Sequence, residues 1–101
     1  MNVALEPEVA AYVERREEVL EEVRRLLIAS VDLRCEPDQI DPDAALFGTG
    51  LGLDSLDAVE IVIGLEMDLG VKLEGESARR LALRSVNALV DIVMRARGLL
   101  P

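Results

Sequence analysis

Apolar residues recur at spacings of three and four along the first third of the chain. Val9, Tyr12, Val13, Val19, Leu20, Val23, Leu26, Leu27 and Val31 fall on one face of a helix that begins near Pro7. Proline is tolerated in a first turn, where its missing N–H would have had no helical partner. Glu6 and Glu8 suit the positive end of the helix dipole, and Arg24 and Arg25 lie towards its negative end. Arg16 interrupts the apolar face. The stretch from Val19 to Val31 is therefore the core contributor, and the stretch before it projects into solvent or frays.

From Asp32 to Leu53 the pattern breaks. Pro37, Pro42, Gly48, Gly50 and Gly52 prevent a long helix. Connections of this length are usually functional or disordered. Ile40, Leu46, Phe47, Leu51 and Leu53 can anchor this one to a core, so it reads as an ordered crossover with a short helical turn at Asp43–Phe47. A second helix follows over Ser55–Leu69, with Asp54 as its N-cap, Asp57 completing a capping-box pattern and Gly70 ending it in a left-handed conformation. Glu76–Leu83 predicts a short third helix. Ser85 is the N-cap of a last helix, Val86–Arg97, with Val86, Leu89, Val90 and Val93 on its apolar face and Gly98 as its stop. Nothing alternates for long enough to force a sheet. The expected fold is all-α: a small bundle of three main helices plus one short one, with a long ordered loop between helices 1 and 2.

The second helix carries two apolar faces. Ala58, Val62, Leu65 and Leu69 cluster on one, an ordinary core stripe. Leu56, Val59 and Ile63 cluster on another, more than a quarter turn away. Asp57, Glu60, Gly64 and Asp68 form a third, polar stripe, with Met67 beside it. Two readings of the second apolar face stay open: it packs against the long loop or the third helix, or it meets a partner whose basic surface the neighbouring acids steer. Ser55 opens this helix. First-turn residues are exposed and the backbone N–H groups there lack helical partners, so a phosphate on this hydroxyl would lie near the positive dipole end. Asp54 and Asp57 would repel that phosphate unless a cation or partner compensated. For an isolated serine at a helix start, the ordinary role is capping.

Composition narrows the function. The chain has 101 residues, half of them hydrophobic, with one Phe, one Tyr and no Trp. That suits one small domain with an aliphatic helical core. The net charge of −9, from 20 acidic and 11 basic residues, disfavours nucleic acid and anionic membrane surfaces. An acidic chain suits basic partner surfaces, although solubility alone would also explain the charge. With one cysteine, Cys35, and no histidine, neither an internal disulfide nor metal-ligand spacing is available. Cys35 reads as an incidental loop thiol. No apolar run approaches a membrane span and no signal peptide is visible, so a cytoplasmic location is expected. No nucleophile has an evident base, which argues against an enzyme.

Taken together, Gly52-Leu53-Asp54-Ser55-Leu56, placed after a long loop and opening an apolar helix, resembles the acyl carrier protein family, whose motif is Asp-Ser-Leu at the start of its second helix. The likeness extends through Asp57, Val59, Glu60 and Ile61 to Leu65, Glu66, Gly70 and Val71. Upstream it includes Ile40, Asp41, Pro42, Leu46 and Phe47; downstream it includes Ser85, Val86, Leu89, Val90 and Ile92. It covers about Glu17 to Gly98, which divides the chain into an N-terminal extension (1–16, partly helical or frayed), a carrier domain (17–98) and a short tail (99–101).

The resemblance implies that Ser55 bears a covalent 4′-phosphopantetheine arm, attached by a separate phosphopantetheinyl transferase (a holo-carrier synthase) from coenzyme A with magnesium. The arm's thiol would hold acyl groups as thioesters for fatty-acid, polyketide or related enzymes with basic docking surfaces. Asp54, Asp57 and Glu60 match family positions that face such partners, and Leu56, Val59 and Ile63 match the apolar positions flanking the arm. Met67, beside them, joins the expected partner-binding set. A monomer is the default for such a carrier. Members often tuck the acyl chain between helices. The chain also departs from the family. Its N-terminus is long, Gly64 and Met67 replace more acidic or helix-favouring residues, and Gly75–Arg84 carries Arg79, Arg80 and Arg84 where acids are usual. These departures point to a specialised carrier. The arginines otherwise read as a solvated face. A carrier of aminoacyl, D-alanyl or peptidyl groups, and an unmodified helical interaction module, are the competing readings.

Overall fold

The computed structural model describes residues 6–100; residues 1–5 of the expected extension and residue 101 of the expected tail lie outside the described residues. Four helices follow in order: α1 (Pro7–Val31), α2 (Ser55–Leu69), α3 (Glu76–Ala82) and α4 (Val86–Ala96). No strand forms among the described residues, and two isolated bridges, Ala45 with Ser85 and Phe47 with Leu53, lie outside any helix. α1 packs against both α2 and α4, and α3 packs against α4.

α1 is continuous through Arg16 and ends at Asp32, which adopts a left-handed conformation (φ 52°). Aspartate tolerates that region better than most side chains. Only the second half of α1 enters the core, through Val19, Val23, Leu26 and Leu27, while Val9, Tyr12 and Val13 remain exposed. Arg16 interrupts the apolar face because it ties α1 to α4: it donates to Asp91 at 2.7 Å and to Asn87 at 3.3 Å. Arg97 makes a second tie, donating to both carboxylate oxygens of Glu22. Its hydrogen bond to Glu22 holds the Arg97 guanidinium above its ordinary pKa, against a smaller opposing effect of burial.

The crossover between α1 and α2 is ordered by what it satisfies. The first N–H groups of a helix have no partner of their own. At the start of α4 the crossover supplies two of them: Pro42 O accepts from Asn87 N–H (2.9 Å) and Ala44 O from Val86 N–H (3.1 Å). Ser85 Oγ accepts from Ala88 N–H (3.0 Å) as the N-cap. Arg24 Nε donates to Ile40 O at 3.0 Å, and Ile40, Leu46 and Leu53 are buried.

The short helical turn expected at Asp43–Phe47 is not there. A 3-10 turn occurs earlier, at Pro37–Gln39, held by a capping box between Glu36 and Gln39. Asp43 instead lies in a turn closed by Ala44 N–H donating to Asp41 O (3.0 Å), and isolated bridges at Ala45 and Phe47 follow it. Ala45 bridges to Ser85, the Ala44 carbonyl is taken by α4, and the Ala45 carbonyl accepts from Leu51 N–H at 2.8 Å.

That last bond depends on Gly50. A Cβ there would stand 1.9 Å from Ala45 O, so no side chain fits without opening the turn. Gly50→Ala is therefore expected to cost about 1–3 kcal/mol, in the range for forced overpacking. Thermal denaturation would show a lowered midpoint, and an unchanged midpoint would refute this account of the turn.

Candidate functional site

The crossover delivers the chain to the start of α2. Leu53 is buried and its N–H donates to Leu46 O at 2.9 Å, which fixes the residue just before the cap. Asp54 then turns outward and caps the helix. Its Oδ1 accepts from Asp57 N–H (2.9 Å), and its own N–H donates to Asp57 Oδ2 (3.0 Å). This is the reciprocal capping box expected from the spacing.

Because Asp54 performs the capping, Ser55 does not. Ser55 is the first helical residue, it is exposed, and its hydroxyl has no hydrogen-bond partner among the described residues. The N–H groups of Ser55 and Leu56 also find no acceptor there, whereas those of Asp57 and Ala58 are taken by Asp54. The site is thus a free primary hydroxyl beside two free N–H donors at the positive end of a 15-residue helix. A phosphodiester on Ser55 fits this geometry, and the two unsatisfied donors are groups that favour a phosphate oxygen. The carboxylates of Asp54 and Asp57 oppose it, but each already accepts a backbone N–H.

Downstream, Leu56, Val59, Ile63 and Met67 are 75, 55, 45 and 78% exposed. Neither the loop nor α3 covers them, which decides between the two readings of this face in favour of an open surface. Glu60 and Asp68 are exposed beside it and Asp57 is half-buried. The core side of α2 differs from the expected stripe. Ile61, Gly64 and Leu65 are its buried residues, while Ala58, Val62 and Leu69 are only partly covered.

Gly64 does not belong to the polar stripe. It faces α1, where a Cβ would stand 2.7 Å from Ser30 Oγ and 2.8 Å from Leu26 Cδ1. The glycine costs about 1 kcal/mol of helix propensity relative to alanine and allows α1 to approach closely. A lone glycine inside an otherwise apolar helix was the available signal for such a contact.

Ala58, Val59, Val62 and Ile63 of α2 face Leu83, just after α3, across a cleft of about 400 Å³, whose lining also includes Glu66 and Arg79. A larger cleft of about 520 Å³ involves Asp43, Arg84, Ser85, Asp91 and Arg95 but no residue of α2, so it is not the one alongside Ser55. The cleft on α2 was not legible in the residue pattern, because Ala58 and Val62 look like core positions until the shortness of α3 leaves them half covered. Among the described residues, no helix is long and apolar enough to cross a membrane and no cluster of potential metal ligands occurs.

Comparison with known proteins agrees with this arrangement. Residues 21–93 match the family described as "Phosphopantetheine attachment site", a span that runs from within α1 into α4 and takes in Ser55. The chain is 34% identical over 76 residues to an acyl carrier protein of Thermosynechococcus vestitus, covering 75% of this chain and 88% of that one. It is 36% identical over 63 residues to the chloroplastic acyl carrier protein 4 of Cuphea lanceolata, covering 61% of this chain and 45% of that protein's length. With the helix order, the crossover and the family match in agreement, the chain belongs to the acyl carrier protein family, whose members bear phosphopantetheine and are carriers, not enzymes.

Proposed function

We propose that Ser55 holds the 4′-phosphopantetheine arm and that the chain carries acyl thioesters to enzymes that dock on the exposed face of α2. The observation that carries this is the division of labour at the helix start. Asp54 takes the capping role, and that leaves the Ser55 hydroxyl exposed and without a protein partner. In the bound state the arm supplies a terminal thiol on which the acyl group rides. The chain's own contribution is to present Ser55 on a rigid helix end, to offer the Ser55 and Leu56 N–H groups to the phosphodiester, and to keep α2 fixed while partners bind. Leu56, Val59, Ile63 and Met67 supply apolar contact next to the attachment point. Asp54, Asp57 and Glu60 supply charge for basic partners.

The enzymes served belong to fatty-acid, polyketide or related acyl pathways. The long α1 and the arginines of α3 favour a dedicated pathway over a general one. The test is to incubate the protein with coenzyme A, magnesium and a broad-specificity phosphopantetheinyl transferase, then measure intact mass and map the modified peptide. One arm, on the peptide containing Ser55, is the expected result. No addition under conditions that load a control carrier would overturn the proposal.

The acidic face has its own test. Glu60→Lys is expected to slow loading several-fold at low ionic strength, with the difference shrinking as salt screens it. Glu60 is exposed and makes no contact that folding needs, so the unfolding midpoint should not move. Identical loading rates at low salt would sink the steering role.

A further inference from the structure

The solvent side of α3 has a chemistry opposite to that of α2. From Ser77 to Arg84 the chain holds three arginines and no acid, within a protein of net charge −9. Arg79, Arg80 and Arg84 are exposed and line an open cleft of about 410 Å³ together with Phe47, Leu83 and Glu76. Arg80 pairs with Glu76 one turn earlier, at 3.3 Å, in a contact too exposed to hold it firmly. The guanidinium groups of Arg79 and Arg84 have no hydrogen bond or ion pair among the described residues. Beside them Leu81 is 59% exposed, the one exposed large apolar side chain of the described residues outside α1 and α2. A lone exposed leucine needs no explanation. Leu81, however, shares the lining of the larger cleft with Arg84, which also borders Phe47. Arginine beside aromatic and aliphatic side chains is the composition that interface cores favour.

Charge decides the occupant. A basic surface of the kind that suits α2 is repelled by these arginines. Nucleic acid and anionic membranes match them in sign, but both are broad. Either would reach the acids of α2, since Glu66 already lines one cleft with Arg79. A short acidic segment of another protein is narrow enough to cover α3 alone. Its carboxylates fit the guanidinium forks, and an apolar side chain between them meets Leu81. We propose that Arg79, Arg80, Leu81 and Arg84 form a second docking surface, for an acidic protein segment that also carries an apolar side chain. This surface is distinct from the exposed face of α2 and works whether or not Ser55 is modified.

The test titrates the isotope-labelled protein, without an arm, with a short synthetic peptide of glutamate, alanine and leucine and follows the backbone amide signals. A matched peptide with lysine in place of glutamate is the control. The glutamate peptide is expected to shift Phe47 and residues 79–84, and the lysine peptide residues 56–68. Exposed ion pairs each contribute little, so Arg79→Gln combined with Arg84→Gln should weaken the glutamate peptide about three- to tenfold, with the loss shrinking as salt is added. Arg15→Gln combined with Arg34→Gln removes the same charge from exposed positions elsewhere and should leave that affinity nearly unchanged. No shift at residues 79–84, or an equal loss in both double variants, overturns the proposal. So does a shift there with phosphatidylglycerol vesicles but not with the peptide, which would assign the arginines to lipid. Concentration-dependent shifts of 56–68 and 79–84 together in the protein alone would assign the surface to a second copy of the chain and overturn it equally.

Discussion

Ser55→Ala is expected to stay at its unmodified mass under conditions that convert the wild type completely, while folding almost as well. No other hydroxyl stands at the start of α2, so no neighbour can substitute as the acceptor. The folding half of the prediction follows from the geometry. Ser55 is exposed, Asp54 is the cap, and the serine hydroxyl holds nothing in place. Surface substitutions of this kind usually change stability by less than about 0.5 kcal/mol, which for a domain of this size is a shift of at most roughly 4 °C in the unfolding midpoint. Asp54→Ala supplies the contrast. It removes the side chain that accepts from Asp57 N–H and should cost about 1 kcal/mol, yet it leaves the hydroxyl available. Intact-mass measurement and thermal denaturation of the two variants should thus give opposite patterns. A Ser55→Ala protein that still gains an arm, or that unfolds at room temperature, would contradict the division of roles between these residues.

Leu27→Ala is expected to produce the largest loss of stability among simple core truncations in α1. Leu27 is fully buried in the single cluster that joins α1, the crossover, α2 and α4. Removing a buried leucine side chain costs about 2–5 kcal/mol, because the lost burial is compounded by the cavity left behind. At roughly 4–8 °C per kcal/mol for a small domain, the midpoint should fall by more than about 8 °C. Chemical denaturation should show a lower midpoint with an unchanged slope, the sign of lost stability without a changed native surface. The same change at Val13, which shares the sequence pattern but is exposed, lacks a cavity term.

That contrast between Leu27 and Val13 shows where the residue pattern was informative. The bounds of α2 were readable because they are set locally: Asp54 and Asp57 cap each other and Gly70 turns the chain at φ 67°. Ser85 and α4 were readable for the same reason. In α1 the interruption of the apolar face at Arg16 marked where the core begins: Val19, Val23, Leu26 and Leu27 are buried, and Val9, Tyr12 and Val13 before it are exposed. The crossover was misread at Asp43–Phe47 because its conformation is decided by partners such as Ser85, Val86 and Asn87, some forty residues away. Pro37 had signalled a break, but the 3-10 turn it opens needs the Glu36–Gln39 capping pair to be recognised. At the site, helical geometry grouped Leu56, Val59 and Ile63 on one face but left open whether that face was covered; its exposure is decided by what packs around it. The buried position of Gly64 was not readable, since a residue without a side chain has no polarity from which to assign a face.

The two sides of α2 differ in how easily they can move. On the α1 side, Gly64 brings the helices so close that any separation opens the core. On the other side stands α3, seven residues long, entered through Gly75 with no side-chain cap and contributing Ala82 as its buried residue. Helices this short do not persist without support from tertiary packing, and such segments open locally at a fraction of the free energy of global unfolding. The cleft therefore has one fixed jamb and one swinging door. A movement that widens the cleft is therefore expected at α3, at less cost than any movement of α1.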